Sequence, residues 1–156
     1  VLVFDNGDIF EGTFINDKAT GLFSCNYADG RVYKGDLENG LRQGQGVLIF
    51  KNGSKYDGNF ERGLRKGFGI FLNEEDKSIY KGSWLDDKPY GNGNLTYTNI
   101  SSYEGNFVNG LKDGFGVLIQ LKEGYKYEGE WENNKKSGFG RFTFKNQDTY
   151  EGIFLN

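Results

Sequence analysis

"YKGDLENGLRQGQGVLIFKNGSK", residues 33–55, contains five glycines and no proline. Its opening, Tyr33-Lys-Gly-Asp-Leu37, alternates large, polar, small, polar, large. That is the period of two expected of a strand. The later part puts Gly44, Gly46, Leu48 and Phe50 on one side by the same period. Between them lies the polar loop "ENGLRQ" with Asn39-Gly40, and after them comes Asn52-Gly53. Asn-Gly is a hairpin signal because both residue types tolerate positive φ. The stretch reads as one two-stranded hairpin with a turn to the next.

The same text recurs along the chain. Tyr33, Tyr56, Tyr80, Tyr103, Tyr127 and Tyr150 stand 23 or 24 residues apart, and Phe10 continues the frame upstream. Six complete units therefore begin near residues 10, 33, 56, 80, 103 and 127. Residues 1–9 match the tail of a unit and 150–156 the start of one, so 1–156 reads as one array cut from a longer one. The expected fold is all-β: an elongated single-layer antiparallel sheet of tandem β-hairpins.

The glycines follow from that fold. A single layer has no second sheet to supply its core. It buries apolar area by making side chains recline over their own backbone, and a glycine leaves the room. On this reading Gly35, Gly44 and Gly46 all share a face with Tyr33, Leu37, Leu48 and Phe50.

Composition narrows the function. Aromatic residues are 17% of 156, which separates the chain from disordered sequences. It has no histidine and one cysteine, so His-based catalysis, a disulfide framework and a Cys/His metal site are all without their residues. We expect no enzyme activity, no cofactor and no metal. Cys25 takes the slot of Leu48, Phe71, Leu95, Leu118 and Phe142, and reads as a small packed residue rather than a reactive thiol. A net charge of −3 gives no bulk attraction to nucleic acid. No apolar run approaches a membrane span in length.

"YEGEWENNKKSGFGRFTF", residues 127–144, resembles a MORN repeat, the membrane occupation and recognition nexus motif. That pattern is Tyr-x-Gly-x-Trp/Phe, a loop, then Gly-x-Gly-x-aromatic or Leu, and it covers essentially the whole chain. The family often carries His before its glycine pair, where this chain has Thr20, Gln43, Lys66, Tyr90, Asp113 and Ser137. The first unit has Phe23 in place of its second glycine. The resemblance implies a twisted sheet of stacked hairpins acting as a cytoplasmic interaction scaffold, with cytoskeletal or membrane association. It also implies phosphoinositide binding, as in lipid kinases that carry such repeats.

Three sets of residues are candidates for contact. Val47, Ile49, Phe68, Ile70, Leu72, Phe115, Val117 and Ile119 alternate with the glycine-face residues, so they stand on the uncovered side. They are the expected surface for a protein partner or a second copy. The aromatic face, with Tyr33, Tyr56, Phe60, Tyr80, Trp84, Tyr103, Phe107, Tyr127 and Trp131, is an alternative groove for a partner helix. Arg42, Arg65, Lys112 and Lys136 share one loop position and form the candidate row for an anionic lipid. Acidic residues in the same loops make the field mixed rather than basic, which favours a solvated edge.

Overall fold

Six two-residue turns close the hairpins of this computed structural model, which describes residues 1–155. In each turn both residues have positive φ: Asn16-Asp17, Asn39-Gly40, Arg62-Gly63, Asp86-Asp87, Asn109-Gly110 and Asn133-Asn134. Turns of this hand match the twist of the strands they join. The stretch "ENGLRQ" is therefore turn only at Asn39 and Gly40. Its flanks belong to β4 (Val32–Glu38) and β5 (Leu41–Ile49). The linking turns differ. Around Asn52-Gly53 only the glycine of the pair has positive φ, and the Asn52 side chain accepts from the Ser54 N–H at 3.0 Å.

Among the described residues fourteen strands form one sheet in strict sequence order. Before β4 come β1 (Leu2–Val3), β2 (Ile9–Ile15) and β3 (Lys18–Asn26). After β5 come β6 (Lys55–Glu61), β7 (Leu64–Leu72), β8 (Ser78–Leu85) and β9 (Lys88–Tyr97). The last five are β10 (Ser101–Val108), β11 (Leu111–Gln120), β12 (Tyr125–Glu132), β13 (Lys135–Thr143) and β14 (Thr149–Phe154). Every neighbouring pair is antiparallel. At ~4.8 Å per strand the contour across the sheet is about 60 Å.

One glycine from every strand between β4 and β14 lies in a single cross-strand row. It runs Gly35, Gly46, Gly58, Gly69, Gly82, Gly93, Gly105, Gly116, Gly129, Gly140 and Gly152. Over each hairpin's pair lies the tyrosine two residues before the first glycine. A Cβ on Gly69 would stand 2.3 Å from the Tyr56 hydroxyl oxygen, and one on Gly58 would stand 2.5 Å from the Gly69 Cα. No side chain fits there. The reclining hydroxyl then donates to a carbonyl three residues on: Tyr33 to Asp36 at 2.8 Å, Tyr56 to Asn59 at 2.9 Å, Tyr103 to Asn106 at 3.0 Å. Burial pushes the phenols of Tyr56, Tyr80 and Tyr103 up to about 12.

The first glycine of each pair has a different reason, and here the structure corrects the reading of Gly44. Gly44 has φ +64 and its Cβ direction looks at Asp36, on the face opposite the rings. Gly67, Gly91, Gly114 and Gly138 are left-handed in the same way. The hairpin register shifts there: Gly35 pairs Gly46 while Leu37 pairs Arg42, so one residue of β4 opposes three of β5. The left-handed glycine absorbs this bulge, and the tyrosine hydroxyl caps it.

The rings then link unit to unit. Phe60 meets Tyr33 of the preceding unit at 5.4 Å and its own Tyr56 at 5.1 Å, both edge-to-face. Trp84 does the same with Tyr56 and Tyr80, Phe107 with Tyr80 and Tyr103, Trp131 with Tyr103 and Tyr127. The chain of contacts continues through Phe154 to Tyr150. Each such pair adds roughly 0.5–1.5 kcal/mol beyond its buried area. Hairpin tips add a second link: the N–H of Gly40, Gly63, Asp87, Gly110 and Asn134 donates to Ala19, Arg42, Arg65, Pro89 and Lys112 of the preceding unit. In the first unit Phe23 itself reclines over Gly12, and Phe10 turns away to Phe4 and Tyr27.

This packing makes a sharp contrast between faces. Gly69→Val and Gly116→Val drive a branched side chain into a tyrosine ring and should each cost about 1–3 kcal/mol or more. Asn92→Val, on the other face, should be close to neutral. Thermal melts followed by circular dichroism check this, and equal losses at all three sites contradict the assignment.

Candidate functional site

The nine rings read from the sequence as a groove form the core of the sheet. Tyr33, Tyr56, Phe60, Tyr80, Trp84, Tyr103, Phe107, Tyr127 and Trp131 are all 5% exposed or less. Their faces and edges are occupied by one another and by the glycine row. The indole N–H groups are also engaged, Trp84 with the Gly69 carbonyl at 3.3 Å and Trp131 with that of Gly116 at 3.2 Å. The aromatic face has little ring surface to offer a partner. Cys25 is fully buried in this layer, and burial pushes its thiol up to about 11, well away from a reactive thiolate.

The four cations are not in loops. Arg42, Arg65, Lys112 and Lys136 are the second residues of β5, β7, β11 and β13, and they lie on the aromatic face as lids. Arg42 sits 5.2 Å over Phe60. Arg65 sits 4.3 Å over Trp84, and its guanidinium donates to the Asp87 carboxylate at 3.0 Å and to the Asp87 carbonyl at 2.7 Å. Lys112 covers Tyr103 and Trp131 at 5.0 and 5.1 Å. Lys136 covers Tyr125, Tyr127 and Phe142 at 4.9–5.4 Å. Burial, with Lys136 nearby, holds the Lys112 amine below its usual range; burial does the same to Lys136. Ala19 and Pro89 fill this position in the other two units.

The second face carries no layer of its own. Cross-strand registers sort its side chains into three rows. One runs Gln45, Asn59, Phe68, Ser83, Asn92, Asn106, Phe115 and Glu130; Leu22 and Phe139 extend it, a continuation the alternation argument passed over. The next runs Val47, Asp57, Ile70, Lys81, Asn94, Glu104, Val117 and Glu128. The third runs Ile49, Lys55, Leu72, Ile79, Thr96, Ser102, Ile119 and Lys126. Phe68 is 59% exposed and Phe115 64%, and Ile49, Leu72 and Ile119 are also exposed. Val47, Ile70 and Val117 are half-buried. Strands β7 and β11 thus each present an apolar triplet, separated by the polar triplet Asn92, Asn94 and Thr96 of β9. Between Phe68 and Phe115 lies a depression of about 760 Å³, floored by the backbone of Gly82, Gly93 and Gly105.

Among the described residues no group of three or more His, Cys, Asp or Glu side chains converges to hold a metal. Nor is any helix among the described residues long and apolar enough to cross a membrane.

The MORN repeat family model matches residues 33–55, 56–72, 80–99, 103–119 and 127–149. The unit from Phe10, with Phe23 at its second glycine position, lies outside these matches. No curated protein matches the chain by sequence. Solved structures similar to it include the SAS-4 (dCPAP) TCP domain in complex with a proline-rich motif of Ana2 (dSTIL) of Drosophila melanogaster. That match has 11% identity over 85% of this chain and 84% of the other, with a TM-score of 0.49. The TCP10c domain of Drosophila melanogaster Sas-4 matches with 13% identity over 86% of this chain and 93% of the other, at 0.43. At these scores neither bears on what this chain does.

The cation lids give a direct test. Reversing Arg42, Arg65, Lys112 and Lys136 together to Glu removes four cation lids worth roughly 0.5–1 kcal/mol each, and sets carboxylates against aromatic faces. We expect a loss of at least ~2 kcal/mol in urea unfolding. Reversing Lys18, Lys88 and Lys135, exposed at the hairpin tips, should cost little. Equal effects of the two sets contradict the packing described.

Proposed function

The chain belongs to the MORN repeat family, and from that premise we propose that it is a non-catalytic interaction scaffold whose second face receives a protein partner or another copy of itself. The observation that carries the reading is the pair of apolar triplets Phe68-Ile70-Leu72 and Phe115-Val117-Ile119, exposed at both ends and half-buried at Ile70 and Val117, on a sheet with no second layer among the described residues to cover them. Val47 and Ile49 extend the same surface by one unit. Contiguous exposed apolar side chains of this kind mark contact sites. The aromatic face supports the reading by elimination, since its rings are spent on the core.

A second reading, contact with an anionic lipid surface, has one observation in its favour. Lys112 and Lys136 line a depression of about 530 Å³ with Trp131 and Lys135, and neither forms an ion pair among the described residues. Arg42 and Arg65 do not share that freedom. Arg42 donates to the Gly63 carbonyl at 2.6 Å, and Arg65 is held by Asp87. The lipid reading therefore narrows from four cations to two.

The double variant Phe68→Ser with Phe115→Ser separates these readings. Covering a Phe is worth roughly 1.5–3 kcal/mol, so self-association or partner affinity should fall at least about tenfold with the far-ultraviolet circular dichroism unchanged. Binding to anionic vesicles, if present, should not move. An unchanged species distribution in ultracentrifugation, with unchanged affinity for any identified partner, overturns the scaffold surface.

A further inference from the structure

We propose that the second face is occupied by a second copy of this chain, laid face to face and related by a two-fold axis along β9. The proposal rests on the reading that this face is an interaction surface, and names its occupant.

The side-chain pattern around β9 carries this arrangement. In the middle row Asn94 stands at the centre, with Lys81 on one side and Glu104 on the other. One strand further out come Ile70 and Val117. In the row of phenylalanines Asn92 is central and Phe68 and Phe115 are equidistant from it, two strands away on either side. In the third row Thr96 is central, with Leu72 and Ile119 placed likewise. The apolar triplets are thus symmetric about β9 and the two charges antisymmetric, while in the third row Ile79 on β8 is matched by Ser102 on β10. A two-fold along β9 exchanges β7 with β11 and β8 with β10. It sets Phe68 on the second copy's Phe115, Ile70 on its Val117 and Leu72 on its Ile119. It also sets Lys81 on its Glu104, twice by symmetry. Facing sheets pack about 10 Å apart, a gap that an extended lysine and glutamate together span. Lys81 and Glu104 are both exposed, and neither makes an ion pair within the chain among the described residues.

Other arrangements are less complementary. An axis across the strands sets Lys81 on Lys81 and Glu104 on Glu104. An axis along β11 sets Glu104 on Glu128. An axis along β7 brings Lys81 to Asp57 and Glu104 to Lys34, yet it joins only one apolar triplet to itself and places Asn94 on Val47. About β9 the match ends one strand beyond the triplets, where Asp57 faces Glu128. Each of these already has a lysine of its own chain, Lys55 at 3.2 Å and Lys126 at 2.9 Å. Five strands and three rows outline roughly 400 Å² per copy. That area is small for a specific interface, so the dimer is weak and reversible.

Charge exchange tests the axis directly. In sedimentation equilibrium, Lys81→Glu alone and Glu104→Lys alone should each raise the dimer dissociation constant at least about tenfold. An equimolar mixture of the two single variants should recover association to within about threefold of wild type, because every facing pair is again opposite in sign. The double variant Lys81→Glu with Glu104→Lys should recover it likewise. A wild-type chain that stays monomeric at millimolar concentration overturns the proposal. So do losses in both single variants that neither the mixture nor the double variant restores, the outcome of an axis along β7, where Lys81 meets Asp57 and Glu104 meets Lys34. If the charge variants change nothing while Phe68→Ser with Phe115→Ser still removes association, the dimer geometry fails and the scaffold reading stands. If neither set has an effect, both fail.

Discussion

A tyrosine ring lying flat over two paired glycines is what gives this one-layer sheet a core. The ring needs both Cβ positions empty, its own strand's and the partner strand's. Its hydroxyl needs an acceptor at the far side, which the bulge carbonyl three residues on provides. Position, length and hydrogen bond agree only for tyrosine, and five successive hairpins use it. Once the ring is down, its edge is open to the Phe or Trp that follows and to the one in the next unit. The same contact that closes a hairpin therefore also joins it to its neighbour. Stability in such an array is a sum of unit and nearest-neighbour contributions, and here the aromatic chain and the tip-to-strand bonds are the neighbour contributions.

That solution has a consequence for function. The face that carries the aromatic residues is consumed by its own packing, and even its cations are folded onto the rings. Arg65 is clamped by Asp87 of the next tip, and the two lysines lie across tyrosine and tryptophan with lowered proton affinity. What remains for recognition is the other face, where side chains stand upright because nothing reclines there. Its apolar triplets are spaced by the repeat itself, so a contact made through one unit is offered again two units on.

Much of this was legible in the sequence. The 23–24 residue frame, the hairpin turns, the pairing of Tyr33 with Gly35 and Gly46, and the upright positions of Phe68 and Phe115 all follow from alternation and turn chemistry. Alternation misled at Gly44, because counting every second residue does not register a bulge. The glycine there answers to backbone φ, while Gly46 answers to ring contact. Polarity misled at Arg42 and its equivalents. Charged residues beside a turn read as loop, but a two-residue left-handed turn leaves them inside the strand, with their alkyl stems over rings. Phe139 was passed over because Arg141 and Thr143 in the same strand are polar. The bonds from each tip to the preceding unit have no sequence signal apart from Asp or Asn at the second turn position, as at Asp87 and Asn134.

The first unit suggests how to test the central constraint, since there Phe23 lies over Gly12 and the ring comes from the opposite strand. One ring per glycine pair is the requirement, whichever strand supplies it. The measurement is a double-mutant cycle on the third unit, with Tyr56→Ala and Gly69→Phe made singly and together and unfolded in urea. Tyr56→Ala empties the space and Gly69→Phe overfills it, so each alone should be strongly destabilising. Together they return one ring to the site. The double variant should be more stable than the sum of the single losses by at least about 1 kcal/mol. Strict additivity, or a double variant worse than the sum, contradicts it.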